Sequence, residues 1–185
     1  MLGCSSRPRA LSQHEQALLS DLALVAEREL AARLLATPDE LTLLVNRRGF
    51  LAAASDVLAM CRRLGQRTAL LYFDLDGFKA INDDFGHAAG DRALRTFADL
   101  LRTTFRESDV IGRLGGDEFV VLATGAGEQA MDGAIGRLRR AIADQAQDAG
   151  HSLGFSVGTI QIDPGAADGM AALLAAADER MYAHK

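Results

Sequence analysis

Two acidic pairs stand beside apolar segments of this sequence. Asp74 and Asp76 follow the apolar run TALLYF, and Asp117 and Glu118 follow two glycines. Side chains alternate along a strand, so Asp74 and Asp76 point to the same face. If the two segments lie side by side, the carboxylates converge and repel each other unless a cation neutralises them. Mg²⁺ held by one or two carboxylates and by substrate phosphates is the common arrangement.

Glycines beside these acids favour a ligand site. Gly115 and Gly116 carry no Cβ, so a ligand can approach their backbone closely. Gly77, Phe78 and Lys79 open a predicted helix, whose first amides can face an anion. The Lys79 ammonium could add a positive charge for phosphates, although a solvated lysine is the simpler interpretation. Either acidic pair alone could be an ordinary solvated turn, whereas the two together with the glycines favour a site for a metal and phosphates.

Two further polar residues are candidates for recognising a nucleobase. Asn82 and Asp91 supply an amide and a carboxylate, which are the groups that read a purine edge by hydrogen bonds. Asp91 follows Gly90 and could instead be the N-cap of the next helix. Both interpretations of Asp91 remain open at this point.

The hydrophobic pattern alternates between strand and helix periodicity from residue 46 onwards. Apolar runs predict strands over residues 68–73, 110–114, 119–123 and 151–162. Helical patterns predict helices over residues 46–64, 91–105, 128–149 and 170–184, and the short, mixed segment over residues 77–85 predicts a helical turn or two. This order predicts an α/β fold, an α+β sandwich in which helices pack on a sheet that contains an antiparallel hairpin.

The N-terminal part has a different composition. Residues 1–9 are polar and are expected to be flexible, whereas residues 10–37 lack an internal glycine or proline and predict a helix. Apolar residues recur there every seven positions, which indicates either a coiled-coil dimer or a helix packed on its own domain. Thr37 and Pro38 mark the predicted boundary, so that residues 38–185 form the main domain.

Composition excludes several other classes of protein. The 185 residues are 49% apolar and 24% charged, which fits neither a disordered nor a fibrous chain. A net charge of −5 argues against general affinity for nucleic acid. Cys4 and Cys61 form no disulfide or metal spacing, so a reducing, cytoplasmic location is expected. No apolar run approaches the length of about 20 residues that a membrane-spanning helix needs.

Four ordered motifs in this sequence closely resemble those of the GGDEF family of diguanylate cyclases. The five-residue signature is Gly115-Gly116-Asp117-Glu118-Phe119, preceded by Arg113-Leu114. The stretch FDLDGFKAINDDFGHAAGD, from Phe73 to Asp91, resembles a second long motif. Asp39-Glu40-Leu41-Thr42 with Asn46-Arg47 resembles the family's first motif, and Ala177-Asp178-Glu179-Arg180-Met181-Tyr182 its last helix. The resemblance covers residues 39–185.

The resemblance implies a fold related to nucleotide cyclases and polymerase palms. It also implies a homodimer that condenses two GTP into cyclic di-GMP and two pyrophosphates with Mg²⁺, or with Mn²⁺ in its place. The implied metal ligands are Asp74, the Leu75 carbonyl, Asp117 and Glu118. Asp117, Glu118 and Lys79 are the implied catalytic residues. The implied substrate contacts are Gly77, Phe78, Lys79, Asn82, Asp91, Leu94, Gly115, Gly116 and Lys185. An inhibitory site for the product cyclic di-GMP is implied at Arg106 and Asp109.

The sequence leaves one alternative function and two departures from the family pattern. A catalytically silent domain that serves as a GTP or cyclic di-GMP receptor would share the fold, although it would not need all the signature acids. Leu43 stands where the family usually has glycine, and the sequence stops at Lys185, before the family's last strand. Regulation is expected to come from a sensor or regulatory protein that acts through the helix at residues 10–37.

Overall fold

The structure is a computed structural model that describes residues 38–149 and 153–183. Residues 1–9, the predicted helix over residues 10–37, and Lys185 lie outside the described residues. Within them, the strands are β1 (Val45–Asn46), β2 (Thr68–Asp76), β3 (Val110–Gly115), β4 (Glu118–Thr124) and β5 (Gly154–Ile162). The helices are α1 (Arg47–Arg63), α2 (Phe78–Phe85), α3 (His87–Thr104), α4 (Glu128–Ala149) and α5 (Met170–Ala183).

The five strands form one mixed sheet in the order β1-β3-β4-β2-β5. β1 pairs with β3 in parallel, and every other neighbouring pair is antiparallel. The predicted hairpin is β3–β4, and it places β4 directly beside β2. The predicted α/β sandwich, with helices packed on a sheet that contains this hairpin, is confirmed.

Both faces of the sheet are covered by helices, which explains why the first six residues of β2 are all apolar or buried. Leu71 and Phe73 face a core that α3 and α4 complete, with Leu101 and Leu138 among its buried residues. The alternate residues of β2 face a second core that α1 and α5 complete, in which Phe50, Leu70, Tyr72 and Leu174 are buried.

Four phenylalanines pack against one another with tilted, mostly edge-to-face rings under the acidic end of the sheet. Phe97 of α3 lies 5.0 Å from Phe119 and 5.8 Å from Phe73, measured between ring centroids. Phe73 also lies 5.6 Å from Phe155 of β5. Phe73 directly precedes Asp74, and Phe119 directly follows Glu118. Tilted aromatic pairs of this kind are favourable beyond their buried area, so this cluster fixes the backbone from which the acids project.

Several element boundaries differ from the sequence predictions. β2 runs three residues further, through Asp76, because β5 pairs with it up to that residue. α3 begins at His87 and not at residue 91, because Gly86, with φ of 80°, ends α2 and starts α3 without a longer loop. Asp91 therefore lies inside the helix, and its interpretation as an N-cap is wrong. The two-residue strand β1 was not predicted, since it has no periodicity to detect.

The Leu43 position, where the family usually has glycine, has an unusual backbone conformation. Its φ is 57°, the left-handed region that side chains with a Cβ occupy at a cost of roughly 1–2 kcal/mol. The Leu43 amide donates to the Asp39 carbonyl at 2.8 Å, and the Asp39 amide donates to the Leu44 carbonyl at 2.7 Å. The conformation is thus fixed by a hydrogen-bonded turn over residues 39–44, which we call the DELT turn.

Gly158 of β5 allows α5 to pack closely against the sheet. A Cβ at this position would collide with the Ala177 carbonyl oxygen and the Met181 amide nitrogen. The helix that carries the family's last motif is thereby held against the strand next to β2. No helix among the described residues is long and apolar enough to cross a membrane.

Candidate active site

One residue of each acidic pair lies opposite the other across the β2–β4 ladder. Asp74 lies opposite Glu118, and the Leu75 amide donates to the Asp117 carbonyl at 3.3 Å. That bond makes Asp74 and Glu118 a non-hydrogen-bonded pair, whose Cα atoms are about 4.5 Å apart and whose side chains are closest. Both side chains point to the same face of the sheet, and both are half-buried. The structure thus brings together Asp74 and Glu118, one residue from each predicted pair. Asp76 instead lies opposite Gly154 of β5, and its carboxylate accepts from the Ser156 hydroxyl at 2.7 Å.

Asp117 sits in the two-residue loop that joins β3 to β4. Gly115 and Gly116 have φ values of 150° and 52°, which residues with a Cβ rarely adopt. The pairing also shifts between Arg113 and Gly115, so the strand is bulged immediately before the loop. This geometry exposes the backbone of both glycines and directs Asp117 and Glu118 to the end of β2.

Arg113 connects this loop to the DELT turn. Its Nε and Nη2 donate to the Gly116 carbonyl at 3.0 and 2.7 Å, and its Nη1 donates to the Asp39 carboxylate at 2.9 and 3.1 Å. The Asp39 carboxylate also accepts from the Thr42 amide and hydroxyl, at 2.8 and 2.7 Å. The Arg113 guanidinium therefore fixes the position of the hairpin loop relative to the DELT turn. The sequence analysis quoted Arg113 only as part of a motif and gave it no role.

The hydrogen bonds to Asp39 also change its acidity. Burial opposes ionisation of this carboxyl, but the hydrogen bonds from Thr42 and the charge of Arg113 outweigh burial and lower its pKa below the ordinary value of 3.8. Arg113 in turn has a side chain only 11% exposed, so its charge has little contact with water.

Tyr72 is a second residue that the sequence analysis missed. Its hydroxyl donates to Glu118 Oε1 at 2.8 Å, and the residue is 5% exposed. Burial raises the pKa of the Tyr72 phenol far above its ordinary value of 10, and the nearby Glu118 carboxylate raises it further. The phenol thus remains a donor throughout the physiological pH range. The available signal was its position two residues before Asp74, which places it on the same face of the strand.

The predicted base-reading residues lie on two helices that pack against each other. Asn82 belongs to α2 and Asp91 to α3, and a Cβ at Gly90 would overlap the Asn82 side-chain oxygen. The amide therefore lies directly against the α3 backbone, one residue before Asp91. Leu94 lies one turn further along α3 and is 3% exposed, as part of the core under this helix. The Asn82 side chain thus lies beside the segment of α3 that carries Asp91 and Leu94.

The predicted phosphate contacts lie where β2 passes into α2. Gly77 has φ of 68° and is the N-cap of α2, where it has no side chain with which to bond to the helix amides. Phe78 packs against the core that α3 and α4 complete, and the Lys79 side chain is exposed to solvent. The start of α2 is thereby attached to the strand that carries Asp74.

The oxygen donors at this end of the sheet suit a hard divalent cation. They are three carboxylates, from Asp74, Asp117 and Glu118, and the Leu75 carbonyl, with no sulfur or imidazole among them. Within residues 38–149 and 153–183, no three acidic, histidine or cysteine side chains lie close enough together to hold a metal ion by themselves. Such an open set fits a cation that keeps positions for water and phosphate oxygens, as Mg²⁺ does.

The predicted product site at Arg106 and Asp109 lies on another side of the domain. Asp109 accepts from the Arg106 amide at 2.9 Å and from the Thr124 amide and hydroxyl at 2.9 and 3.2 Å, so its carboxylate also fixes the turn before β3. A cavity of about 220 Å³ opens beside it, and Arg137 of α4 lines that cavity together with both predicted residues. Arg137 has no sequence proximity to them, which is why the sequence analysis did not include it.

Replacing Asp39 by Asn tests whether the ion pair with Arg113 supports the fold. We expect a loss of about 1–3 kcal/mol in the free energy of unfolding at pH 7, because a hydrogen-bonded charge is removed beside Arg113. Since the pKa of Asp39 is lowered by folding, its stabilisation is present above pH 4 and disappears as the pH falls below 3.8. The difference in the free energy of unfolding between wild type and Asp39→Asn should therefore become smaller as the pH is lowered.

Urea unfolding at pH 7, 5 and 3 measures this difference, and Asp163→Asn is the matched control. Asp163 pairs with Arg67 at 3.5 Å, but both side chains are more than 70% exposed, so little change is expected. A difference that stays constant from pH 7 to pH 3 would contradict the assignment.

Comparison with known proteins agrees with this geometry. A family model described as "Diguanylate cyclase, GGDEF domain" matches residues 36–185. Diguanylate cyclase DgcP of Escherichia coli is 37% identical over 167 residues, which are 85% of this chain and 48% of that protein. The chain thus spans less than half of that relative.

Two solved structures have the same fold. Diguanylate cyclase SiaD from Pseudomonas aeruginosa, in complex with its activator SiaC, gives a TM-score of 0.74 at 31% identity, covering 92% of this chain and 67% of that one. The GGDEF domain of DgcB from Caulobacter crescentus, in complex with cyclic di-GMP, gives a TM-score of 0.72 at 25% identity. The match covers 80% of this chain and 89% of that one. The signature hairpin, the mixed sheet and these matches together show that the chain belongs to the GGDEF domain family of diguanylate cyclases.

Proposed function

We propose that this chain is an active diguanylate cyclase that converts two GTP into cyclic di-GMP and two pyrophosphates. The observation that carries the proposal is the pairing of Asp74 with Glu118 at the end of β2, beside Asp117. All the signature acids are present in the sequence, which a receptor without catalysis would not require. The proposal also rests on the family to which the chain belongs.

The reaction is a double displacement in which the atoms of two GTP molecules balance. The 3′ oxygen of each GTP attacks the α-phosphorus of the other, and the bond from that phosphorus to the bridging oxygen of the β-phosphate breaks. Each 3′ hydroxyl loses its proton, and each pyrophosphate leaves with the electrons of the broken bond. One domain supplies one GTP, so two copies of the chain must face each other as a homodimer.

Mg²⁺, with Mn²⁺ as a possible substitute, would be held by Asp74, Asp117, Glu118 and the Leu75 carbonyl. When bound, the ion offsets negative charge on the phosphates and lowers the barrier to attack by the 3′ oxygen. Glu118 would also assist removal of the 3′ proton. Gly115 and Gly116 leave room for the nucleotide to approach the backbone, since neither has a Cβ.

The remaining contacts orient GTP. The amides of Gly77, Phe78 and Lys79 face the phosphates at the start of α2, and the Lys79 ammonium adds a positive charge. Lys185, outside the described residues, is proposed as a further phosphate contact. Asn82 and Asp91 bind the guanine edge, with Leu94 under the base.

Replacing Asp117 by Ala tests the proposed activity. Chromatography after incubation with GTP and Mg²⁺ should show cyclic di-GMP from wild type, with a rate that rises faster than linearly with protein concentration. Asp117→Ala should lower the rate by about 100-fold or more, because several kcal/mol of charge stabilisation are lost. Asp132→Ala, at an exposed acid of α4, is the control and should match wild type. Nucleotide binding without product in the wild type would instead favour the receptor function.

Asp91 is proposed to select GTP over ATP. A carboxylate accepts from N1–H and the exocyclic amine of guanine, whereas adenine presents an acceptor at N1. Such a mismatch costs about 1–3 kcal/mol, which corresponds to a preference of roughly 10- to 100-fold. Asp91→Ser should lose most of this preference, measured as the ratio of kcat/KM for GTP and ATP. An unchanged ratio would refute the assignment.

Product inhibition through Arg106 and Asp109 is the regulatory part of the proposal. The cavity beside them, which Arg137 also lines, supports a site for an anionic, planar ligand such as cyclic di-GMP. By comparison with SiaD and its activator, we further propose that a protein partner controls the enzyme through the segment over residues 10–37.

Replacing Arg106 by Ala should weaken cyclic di-GMP binding by about 10-fold or more, because a charge-assisted contact is lost. Isothermal titration with cyclic di-GMP measures this, and Arg137→Ala should behave in the same way. Asp109 is a poor test, since its carboxylate fixes a turn. Arg140→Ala, at a residue that bonds to the Gly136 carbonyl of its own helix, is the control. Undiminished binding by both cavity variants would place the product site elsewhere.

A further inference from the structure

A buried phenol holds one oxygen of an active-site carboxylate. Tyr72 Oη lies 2.8 Å from Glu118 Oε1, and since an ionised carboxylate can only accept, the tyrosine donates. The residue is 5% exposed and packs in the core between the sheet and helices α1 and α5, with Phe50 and Leu174 in the same cluster. The ring therefore has no freedom to follow a moving carboxylate.

We infer that Tyr72 is a positioning residue that orients Glu118 for the divalent cation of the cyclase reaction. The inference rests on the proposed function and adds a residue to it. Tyr72 occupies Oε1 of Glu118 and leaves Oε2 as the oxygen available to the cation. The phenol does not touch the substrate or the cation and acts only through Glu118.

The reason for such a device lies in the pairing of Asp74 with Glu118. Two carboxylates on a non-hydrogen-bonded pair are held close by the ladder and repel each other when no cation is bound. Glu118 has three rotatable side-chain bonds, so it could swing away from Asp74 and lose the geometry. A hydrogen bond from a fixed ring opposes this movement without competing for the second oxygen.

The position of Tyr72 on β2 makes the arrangement specific. Tyr72 pairs with Val120 and Asp74 pairs with Glu118, so Tyr72 and Glu118 are diagonal neighbours on one face of the ladder. Asp178 of α5 and Arg47 at the start of α1 are the other charged groups whose fields reach the phenol, with opposite signs. Of Glu118, Asp178 and Arg47, it is Glu118 that accepts the hydrogen bond from the phenol.

The test compares Tyr72→Phe, which removes only the hydroxyl, with wild type and with Tyr182→Phe. The sequence has two tyrosines, and Tyr182 is 78% exposed, so its variant is a matched control. Binding of 3′-deoxy-GTP, which cannot react, is measured by titration in EDTA and in Mg²⁺. The ratio of the two dissociation constants reports the contribution of the cation and is independent of global stability.

We expect Tyr72→Phe to lower this ratio by about 10-fold, because residues that orient metal ligands have effects of this size. Binding in EDTA should be unchanged, and Tyr182→Phe should keep the wild-type ratio. In wild type, cyclic di-GMP formation is measured in parallel. If wild type shows Mg²⁺-dependent binding but forms no product, the proposed activity fails, while the ratio still decides the role of Tyr72.

A double-mutant cycle with Glu118→Gln separates a positioning role from a purely structural one. If Tyr72 acts through Glu118, then Tyr72→Phe has no further effect on the ratio in the Glu118→Gln background. An equal effect in both backgrounds, or an unchanged ratio in Tyr72→Phe, would overturn the inference. Absence of any Mg²⁺ effect in wild type would overturn it as well, since no cation would then be positioned.

Discussion

Repulsion between carboxylates is the force that the acidic end of this sheet must withstand. The β2–β4 ladder places Asp74 and Glu118 side by side, and the hairpin loop adds Asp117. Such a cluster is stable only if the backbone beneath it cannot relax. The phenylalanine cluster under β2 and β4 and the pairing of β2 on both edges provide that rigidity.

Polar contacts then complete the arrangement from both sides. Arg113 bonds to the Gly116 carbonyl and places a positive charge within 3.1 Å of Asp39, so the loop with Asp117 is anchored to the DELT turn. Tyr72 restrains Glu118 from the core side. The Arg113 contacts thus fix the loop that carries Asp117, and the Tyr72 hydroxyl fixes the Glu118 carboxylate.

The sequence allowed the main elements and the acidic cluster to be predicted, because both depend on local patterns. The run TALLYF predicts a strand buried on both faces, and two glycines before two acids predict a tight hairpin. The sequence does not predict that Asp74 pairs with Glu118. It allows only the conditional statement that the acids converge if the two segments lie side by side, because strand pairing depends on residues that are distant in sequence. The start of α3 was misplaced because Gly86 both ends one helix and begins the next, whereas Gly90, which resembles a helix break, is required for contact with Asn82. Tyr72, Arg113 and Arg137 were missed because their partners are distant in sequence.

The DELT turn has a mechanical consequence that follows from Leu43. A glycine in this place would move between several backbone states with little cost, and the turn would act as a loose joint. Leucine at φ of 57° occupies the small left-handed region, in which its Cβ leaves little room for further rotation, and the hydrogen bonds between residues 39 and 44 keep it there. The backbone of the DELT turn therefore has little freedom to rotate. A movement of the backbone at residue 38 would therefore be transmitted through Asp39 and Arg113 to the Gly116 carbonyl. With a flexible glycine at position 43, rotation about the glycine backbone bonds would absorb that movement.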